Sequence, residues 1–317
     1  MNISIILKGM AMGIAEAIPG VSGGTIAFIT GIYERLLRAI GSILGPEVIG
    51  ALRRDGVAAA WKAADGGFLL QLGVGMVVGL GTAVMTITEL LEAYPPVVWA
   101  FFFGLIIASA IYIGKQIKQW NAVAIGLLII GAVTAFYLTT INPMAGGENL
   151  LFVFVAGAIA ISALILPGIS GSFILLLLGM YTVIFTAVRN IASGDTGALL
   201  IVATFALGCL VGLAVFSRVL TYTFKTWPNQ TLAILTGFML GSLRKLWPWR
   251  NALTMRENSK GEMVPLLEAP VMPGTYEGGN TFIPAVIVAF LLGLVVVYLM
   301  DRFAPPAKEA LETPEEV

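Results

Sequence analysis

Six stretches of the chain, 66–91, 97–113, 122–141, 198–224, 229–243 and 282–300, are almost wholly apolar. A helix needs about 20 such residues to cross the hydrocarbon core of a bilayer. Most of the six are near that length, and 229–243 is short enough to draw on its flanks. Charged residues make up 11% of the 317, hydrophobic ones 58%, and the mean hydropathy is +0.94. A soluble domain carries about 25% charge. Charge this sparse cannot cover a surface in water, so most of the chain has lipid as its solvent. The expected fold is an all-α polytopic membrane protein of roughly eight to ten segments.

The residues that are missing exclude much chemistry. There is no His, and Cys209, in an apolar run, is the one Cys. That removes a Ser-His-Asp triad, a Cys-His dyad, a zinc site and His-dependent lipid phosphatases. Asp55, Asp65, Asp195 and Asp301 lie at segment ends or in loops, which excludes an intramembrane aspartyl pair. Eighteen basic residues balance eighteen acidic ones, so no basic field invites nucleic acid. No P-loop is present, so the chain is not expected to use ATP. It is read as a non-enzyme without cofactor or metal.

Two regions differ from the six. Residues 3–43 and 150–191 are each broken by a Pro-Gly-rich heptad. Their halves laid end to end would reach ~50 Å at 1.5 Å per residue, too long for one span. Each is read as a helical hairpin, fully spanning or re-entrant. The first resembles a signal peptide cleaved near Ala15-Glu16-Ala17, but no basic side chain precedes Lys8 and the same pattern recurs internally, so it is kept as mature structure.

That recurrence organises the chain. Pro19-Gly20-Val21-Ser22-Gly23-Gly24-Thr25 is echoed by Pro167-Gly168-Ile169-Ser170-Gly171-Ser172-Phe173, and the pairing extends to Tyr33 with Tyr181. With a changed offset it continues as Gly75 with Gly208, Gly79 with Gly212, Pro95 with Pro228, Gly104 with Gly237 and Ser109 with Ser242. A weaker third match sets 122–133 against 285–296. The expected organisation is a membrane repeat over 1–145, with hairpin 3–43 and spans 66–91, 97–113 and 122–141. A second repeat covers 146–303, with hairpin 150–191 and spans 198–224, 229–243 and 282–300, followed by a disordered acidic tail at 304–317. A hairpin crosses an even number of times and three spans are odd, so the second repeat should be inverted. With both termini cytoplasmic, most Lys and Arg fall inside, the basic 244–260 loop excepted. If each hairpin were one broken span, an N-out arrangement would fit the charges about as well.

Pro19 and Pro167 end the first half-helix of each hairpin, and Gly20 and Gly168 permit the turn that follows. Ser22, Gly23, Gly24 and Thr25, and Ser170, Gly171 and Ser172, then open the second half-helix. Unpaired N–H groups there, with the positive end of the macrodipole, suit a small anion such as phosphate. Two such tips, one from each half, can meet near the midplane in one site. On this reading Gly24→Val crowds the anion. Glu16, three residues before Pro19, matches Leu164 in the other half. An acid at membrane depth is a functional candidate, here for proton coupling or gating, against a structural hydrogen-bonding role. Arg35 and Arg38 read as interfacial anchors or headgroup contacts, and Arg218 either snorkels to the interface or contacts an anionic headgroup.

The run Gly13-Ile14-Ala15-Glu16-Ala17-Ile18-Pro19-Gly20-Val21-Ser22-Gly23-Gly24-Thr25, followed by Gly31-Ile32-Tyr33-Glu34, resembles the signature of bacterial polyprenyl-phosphate transporters. Leu166-Pro167-Gly168-Ile169-Ser170-Gly171-Ser172, followed by Gly179-Met180-Tyr181, is similar to that family's second signature. The resemblance covers essentially the whole chain. It implies a flippase of the bacterial plasma (inner) membrane that returns undecaprenyl phosphate from the outer to the inner leaflet, for peptidoglycan and other envelope polymers. The residues alone support a duplicated transporter with an anion-binding midplane. On that ground a secondary carrier for a small organic or inorganic anion remains the alternative, and an enzyme acting on lipid phosphates is weaker for want of a base.

Overall fold

A computed structural model describes residues 2–16, 22–43, 45–144, 146–147, 149–191, 195–257 and 263–303. The expected tail at 304–317 lies outside them, as do Pro19 and Gly20. The chain is helical almost throughout. The first half contains α1 (Ile3–Glu16), α2 (Gly23–Ile29), α3 (Tyr33–Ser42), α4 (Pro46–Asp55), α5 (Val57–Ala63), α6 (Gly66–Ala93), α7 (Pro95–Gln116) and α8 (Ala122–Leu138). The second contains α9 (Leu150–Ile165), α10 (Gly171–Leu177), α11 (Met180–Ile191), α12 (Thr196–Thr226), α13 (Pro228–Ser242) and α14 (Ile283–Phe303).

Among the described residues, α6, α7 and α12 are each long and apolar enough to cross a bilayer, while α8, α9 and Ile283–Leu299 of α14 are apolar but shorter. Their outward faces carry bare aliphatic side chains: Val77 is 72% exposed and Leu151 73%. Lipid is the solvent that covers such surfaces without cost. α6 and α12 hand over to α7 and α13 in the same way. Tyr94 and Trp227 stand at the junctions with nearly the same backbone angles, and Pro95 and Pro228 open the next helix, where a missing N–H costs nothing.

Four long pairings build the bundle: α1 along α6, α9 along α12, α7 along α14 and α8 along α13. Glycine sets the distance in each. A Cβ on Gly75 or Gly79 would strike the carbonyl of Ile6 or Met10, and one on Gly208 or Gly212 would strike that of Phe154 or Ala158. Gly104 and Gly237 lie in the same way against Phe290 and Leu128. Backbones this close pack well without any hydrophobic drive between helices. Gly131 meets the Ile234 carbonyl as Gly293 meets that of Phe101. This aligns the third segments with Gly131 on Gly293, one position from the register that pairs Ala122 with Ala285. α7 and α13 sit at the centre, and Ile106, Ile113, Leu235 and Met239 are wholly enclosed.

The second limb of each hairpin is not one helix, as the sequence reading had it. α2 gives way to α3 at Gly31 and α10 to α11 at Gly179, both with positive φ (72° and 68°). α11 is turned 103° from α10. Seven residues of α10 rise only about 10 Å, a third of the hydrocarbon core. The 244–281 loop is also more than a loop. A 3₁₀ turn at Leu243–Leu246 leads into an antiparallel ribbon of β1 (Arg250–Glu257) and β2 (Met263–Pro270). Trp249 fastens it over α7 and α14, buried against Ala100, Val286 and Ala289, with its indole N–H on the Thr281 carbonyl at 2.9 Å.

Candidate functional site

The two broken hairpins meet. At the first tip Ser22 caps α2 in an extended conformation, and its Oγ accepts from Gly24 N at 3.1 Å. The same hydroxyl donates across to the second hairpin, with Leu166 O at 3.0 Å and Leu164 O at 3.2 Å. Thr25 Oγ1 accepts from Gly168 N at 3.1 Å, and Tyr33 OH donates to Ile165 O at 3.1 Å. Ser22 and Thr25 are fully buried, so each of these bonds satisfies groups that water cannot reach. Breaking one leaves a buried donor or acceptor unpaired, about 1–3 kcal/mol. The first tip thus replaces, with side chains, the partners that the interrupted α9 backbone lacks.

Glu16 closes the first tip from the other side. Its Oε1 accepts from Gly23 N at 2.6 Å. A carboxylate therefore already stands at the start of α2, where the sequence reading put unpaired N–H groups. A charge-assisted bond to a helix-opening amide is the interaction a phosphate oxygen would make there. Gly23 is small enough to admit it, since a Cβ would come within 2.8 Å of Glu16 Oε1.

The second tip is less filled. Gly168 takes φ 84°, and a Cβ there would lie 2.7 Å from the Met239 Cα, so only glycine suits it. Ser170 caps α10 by accepting from Phe173 N at 3.4 Å and shares a 2.9 Å bond with the exposed Ser172 hydroxyl. Gly171 is buried beneath, with its would-be Cβ 2.6 Å from Ala160 O. Gly24 has a different role from the expected one. A Cβ on it would strike the Ile165 carbonyl of the opposite tip, so Gly24→Val wedges the tips apart rather than crowding a ligand.

The three arginines separate. Arg35 makes a two-pronged ion pair with Asp65, at 2.7 and 3.0 Å, and lies 4.3 Å over the Phe68 ring. Arg218 Nε donates to Gly41 O at 3.0 Å and ties α12 to α3. Arg38 faces a cavity of ≈ 200 Å³ between α3 and α12, with Glu34, Thr221 and Lys225 around it. A further cation escapes sequence reasoning. Lys245, on the 3₁₀ turn after α13, lines a niche at the second tip with Ser170 and Ser242. Burial holds its ammonium below the ordinary lysine range, with Glu268 opposing that shift and Arg250 adding to it. Its partner, Glu268, comes from the ribbon, 23 residues further along, and no local pattern signals that pairing.

Apolar helices facing lipid, and two interrupted hairpins bonded tip to tip inside them, define an all-α polytopic membrane protein with a polar centre. The model of the undecaprenyl phosphate translocase-like family matches residues 12–264. A polyprenyl-phosphate transporter of Vibrio cholerae serotype O1 is 42% identical over 298 residues, 94% of this chain and 94% of its own. A polyprenyl-phosphate transporter of Staphylococcus aureus is 31% identical over 258 residues, 77% of this chain and 85% of its own. No solved structure matches the chain. The chain belongs to the undecaprenyl phosphate translocase-like family.

Proposed function

We propose that this protein carries polyprenyl phosphate, with undecaprenyl phosphate as its lipid, from the outer to the inner leaflet of the bacterial plasma membrane. There the lipid re-enters synthesis of peptidoglycan and other envelope polymers. The observation that carries the reading is the pair of tips, bonded through Thr25–Gly168, Ser22–Leu166 and Tyr33–Ile165, in a family whose relatives bear the transporter name. The chain acts as a carrier and not an enzyme: it uses no ATP, and its partners are the lipid and the bilayer. Both termini are cytoplasmic and the two repeats are inverted. We take the hairpins as re-entrant, a reading supported by the seven-residue lengths of α2 and α10 and by the 103° turn of α11 from α10.

In this reading the phosphate binds between the tips. Ser22 and Thr25 hold the tips in register, Gly24 lets them close on each other, the Gly23 amide and Ser170, Gly171 and Ser172 face the headgroup, and Arg38 and Arg218 stand on the route to it. Arg35, committed to Asp65, shapes the approach from further off. Glu16 holds the Gly23 amide while the site is empty and yields it on loading. Charge repulsion between carboxylate and phosphate then favours a proton on Glu16, which couples transport to a proton gradient. The test is reconstitution into liposomes with labelled polyprenyl phosphate in both leaflets, reading outer-leaflet exposure with time. Protein-dependent movement of the phosphate ester, and none of the neutral polyprenol, is expected. Equal movement of both, or of neither, overturns the proposal, and uptake of a soluble anion instead would make the protein a small-anion carrier.

A further inference from the structure

Lys245 and Arg250 share one carboxylate. Lys245 Nζ and Arg250 Nη1 each lie 3.1 Å from the same oxygen of Glu268. Arg250 is the anchored member. Its side chain is 5% exposed, its guanidinium lies 4.0 Å over the Trp99 ring, and Nη1 also donates to the Lys245 carbonyl at 2.6 Å. Among the described residues its Nε is buried with no partner. Arg244 is near as well, bonded to the Thr139 carbonyl rather than to an acid. Among the described residues no second carboxylate pairs with Lys245 or Arg250. Two largely buried cations therefore share one acid, which is costly away from water unless an anion completes the set.

The geometry says where that anion comes in. Lys245 Nζ stands 5.4 Å from the Phe173 ring, at the first turn of α10. It lines a niche together with Ser170 and Ser242 and with the apolar Leu138, Phe173 and Ile174. Hydroxyls and an ammonium for a headgroup, among apolar side chains for a chain, suit an amphiphile with a phosphate end. The niche is only ≈ 20 Å³, room for about one water, so a phosphate enters only when Lys245 moves. Lysine suits that task, a point charge on a flexible stem. Its departure leaves no orphan, because Arg250 stays on Glu268.

We infer that Lys245 is a headgroup ligand of the carrier, exchanged between Glu268 of the ribbon and the phosphate of the lipid at the second tip. The inference rests on the proposed lipid-phosphate function and adds a residue and a competitor to it. Glu268 keeps the bound state from becoming a trap, since conduction needs binding weak enough to release. It also makes the β-ribbon, which holds Glu268, responsive to loading.

The experiment titrates the full-length protein in nanodiscs with polyprenyl phosphate, with polyprenol as the uncharged control and inorganic phosphate as the tail-less one. Lys245→Gln should weaken polyprenyl phosphate by about tenfold, the scale of one lost charge-assisted bond, and leave polyprenol unchanged. Lys245→Arg should restore most of the loss, and Glu268→Gln should tighten the phosphate ester by freeing Lys245. Binding of inorganic phosphate at comparable strength would point to a free-phosphate site and overturn the lipid assignment. Should Lys245→Gln not fold, acetylation of Lys245 in the unmodified protein gives the same information. Polyprenyl phosphate, and not polyprenol, should protect it. Equal acetylation under both lipids, or unchanged affinity in Lys245→Gln, overturns the inference. Liposomes that still flip the phosphate ester in that case would leave the proposed function standing.

Discussion

Glu16 and Leu164 occupy the same place in the two halves, yet only one of them can hold a helix-opening amide. The carboxylate gives the first tip an internal anion where the second has the exposed Ser172. A duplicated scaffold does not need such an acid, because the second half folds without it. In the proposed mechanism its use lies in what differs between the halves, as a group that alternates between charged and neutral. Glu16→Gln keeps an oxygen for Gly23 N and removes the ability to take a proton. The expected outcome is a folded protein, less stable by about 1 kcal/mol as the bond loses its charge, that still binds the lipid but no longer speeds up under an imposed pH gradient. Flipping in liposomes with and without the gradient measures this. An unchanged gradient response would return Glu16 to a purely structural cap.

At the scale of elements, much is legible in the sequence. Apolar runs mark the long helices because lipid allows few alternatives to a helix. The glycines paired by the repeat, Gly75 with Gly208 and Gly79 with Gly212, prove to be the contacts that set the spacing of α1 on α6 and of α9 on α12. What was not legible depends on distant partners. The bend at Gly179 hides in an apolar run that continues unbroken, and one glycine in such a run signals packing as readily as a turn; at Gly31 the chain turns polar at Glu34 and Arg35, a change that reads equally as a straight limb reaching the interface. The ribbon escaped because a polar loop with Pro and Gly reads as irregular. Glu268 escaped because its importance comes from Lys245 and Arg250, which only the fold brings to it. Of the site, the tips were legible from their repeated Ser and Gly. The bonds between them were not, since Thr25 and Gly168 are 143 positions apart. The helix contacts give a direct test. Gly208→Leu must push α12 off the Phe154 carbonyl, whereas a Cβ on Gly73 or Gly81 meets nothing within 4 Å. Overpacking of this kind costs about 1–3 kcal/mol. Thermal unfolding in detergent should drop clearly for Gly208→Leu and stay close to the parent for Gly73→Leu. Equal behaviour of the two would mean that the glycine contacts do not set the helix spacing.

The whole molecule is nearly symmetric, and the departure from symmetry is informative. α1 pairs with α6 as α9 does with α12, and α7 pairs with α14 as α13 does with α8. The first two pairings lie within a half, and the last two exchange the halves. Symmetry would also match any packing of α3 on α12 with one of α11 on α6. Only the former is substantial: α3 lies along α12, with Arg218 on the Gly41 carbonyl and the Phe224 ring 5.9 Å from that of Tyr33, while no comparable packing joins α11 to α6 among the described residues. If the halves are inverted repeats, the missing contact describes the opposite-facing state, reached when the halves exchange conformations. A Cβ on Gly41 would lie 3.2 Å from Ser217 Oγ, close enough for a disulfide. In a Cys209→Ala background, oxidising Gly41→Cys with Ser217→Cys should hold the observed state and stop lipid flipping, and a reductant should restore it. The register that pairs Pro19 with Pro167 carries Gly41 to Arg189, and the one that pairs Gly79 with Gly212 carries Ser217 to Val84. Arg189→Cys with Val84→Cys should therefore cross-link only as the protein cycles, faster with polyprenyl phosphate present than with polyprenol. Full transport by the oxidised first pair, or a second pair that never closes while flipping proceeds, would mean that α3 and α12 move as one body and that the asymmetry is permanent.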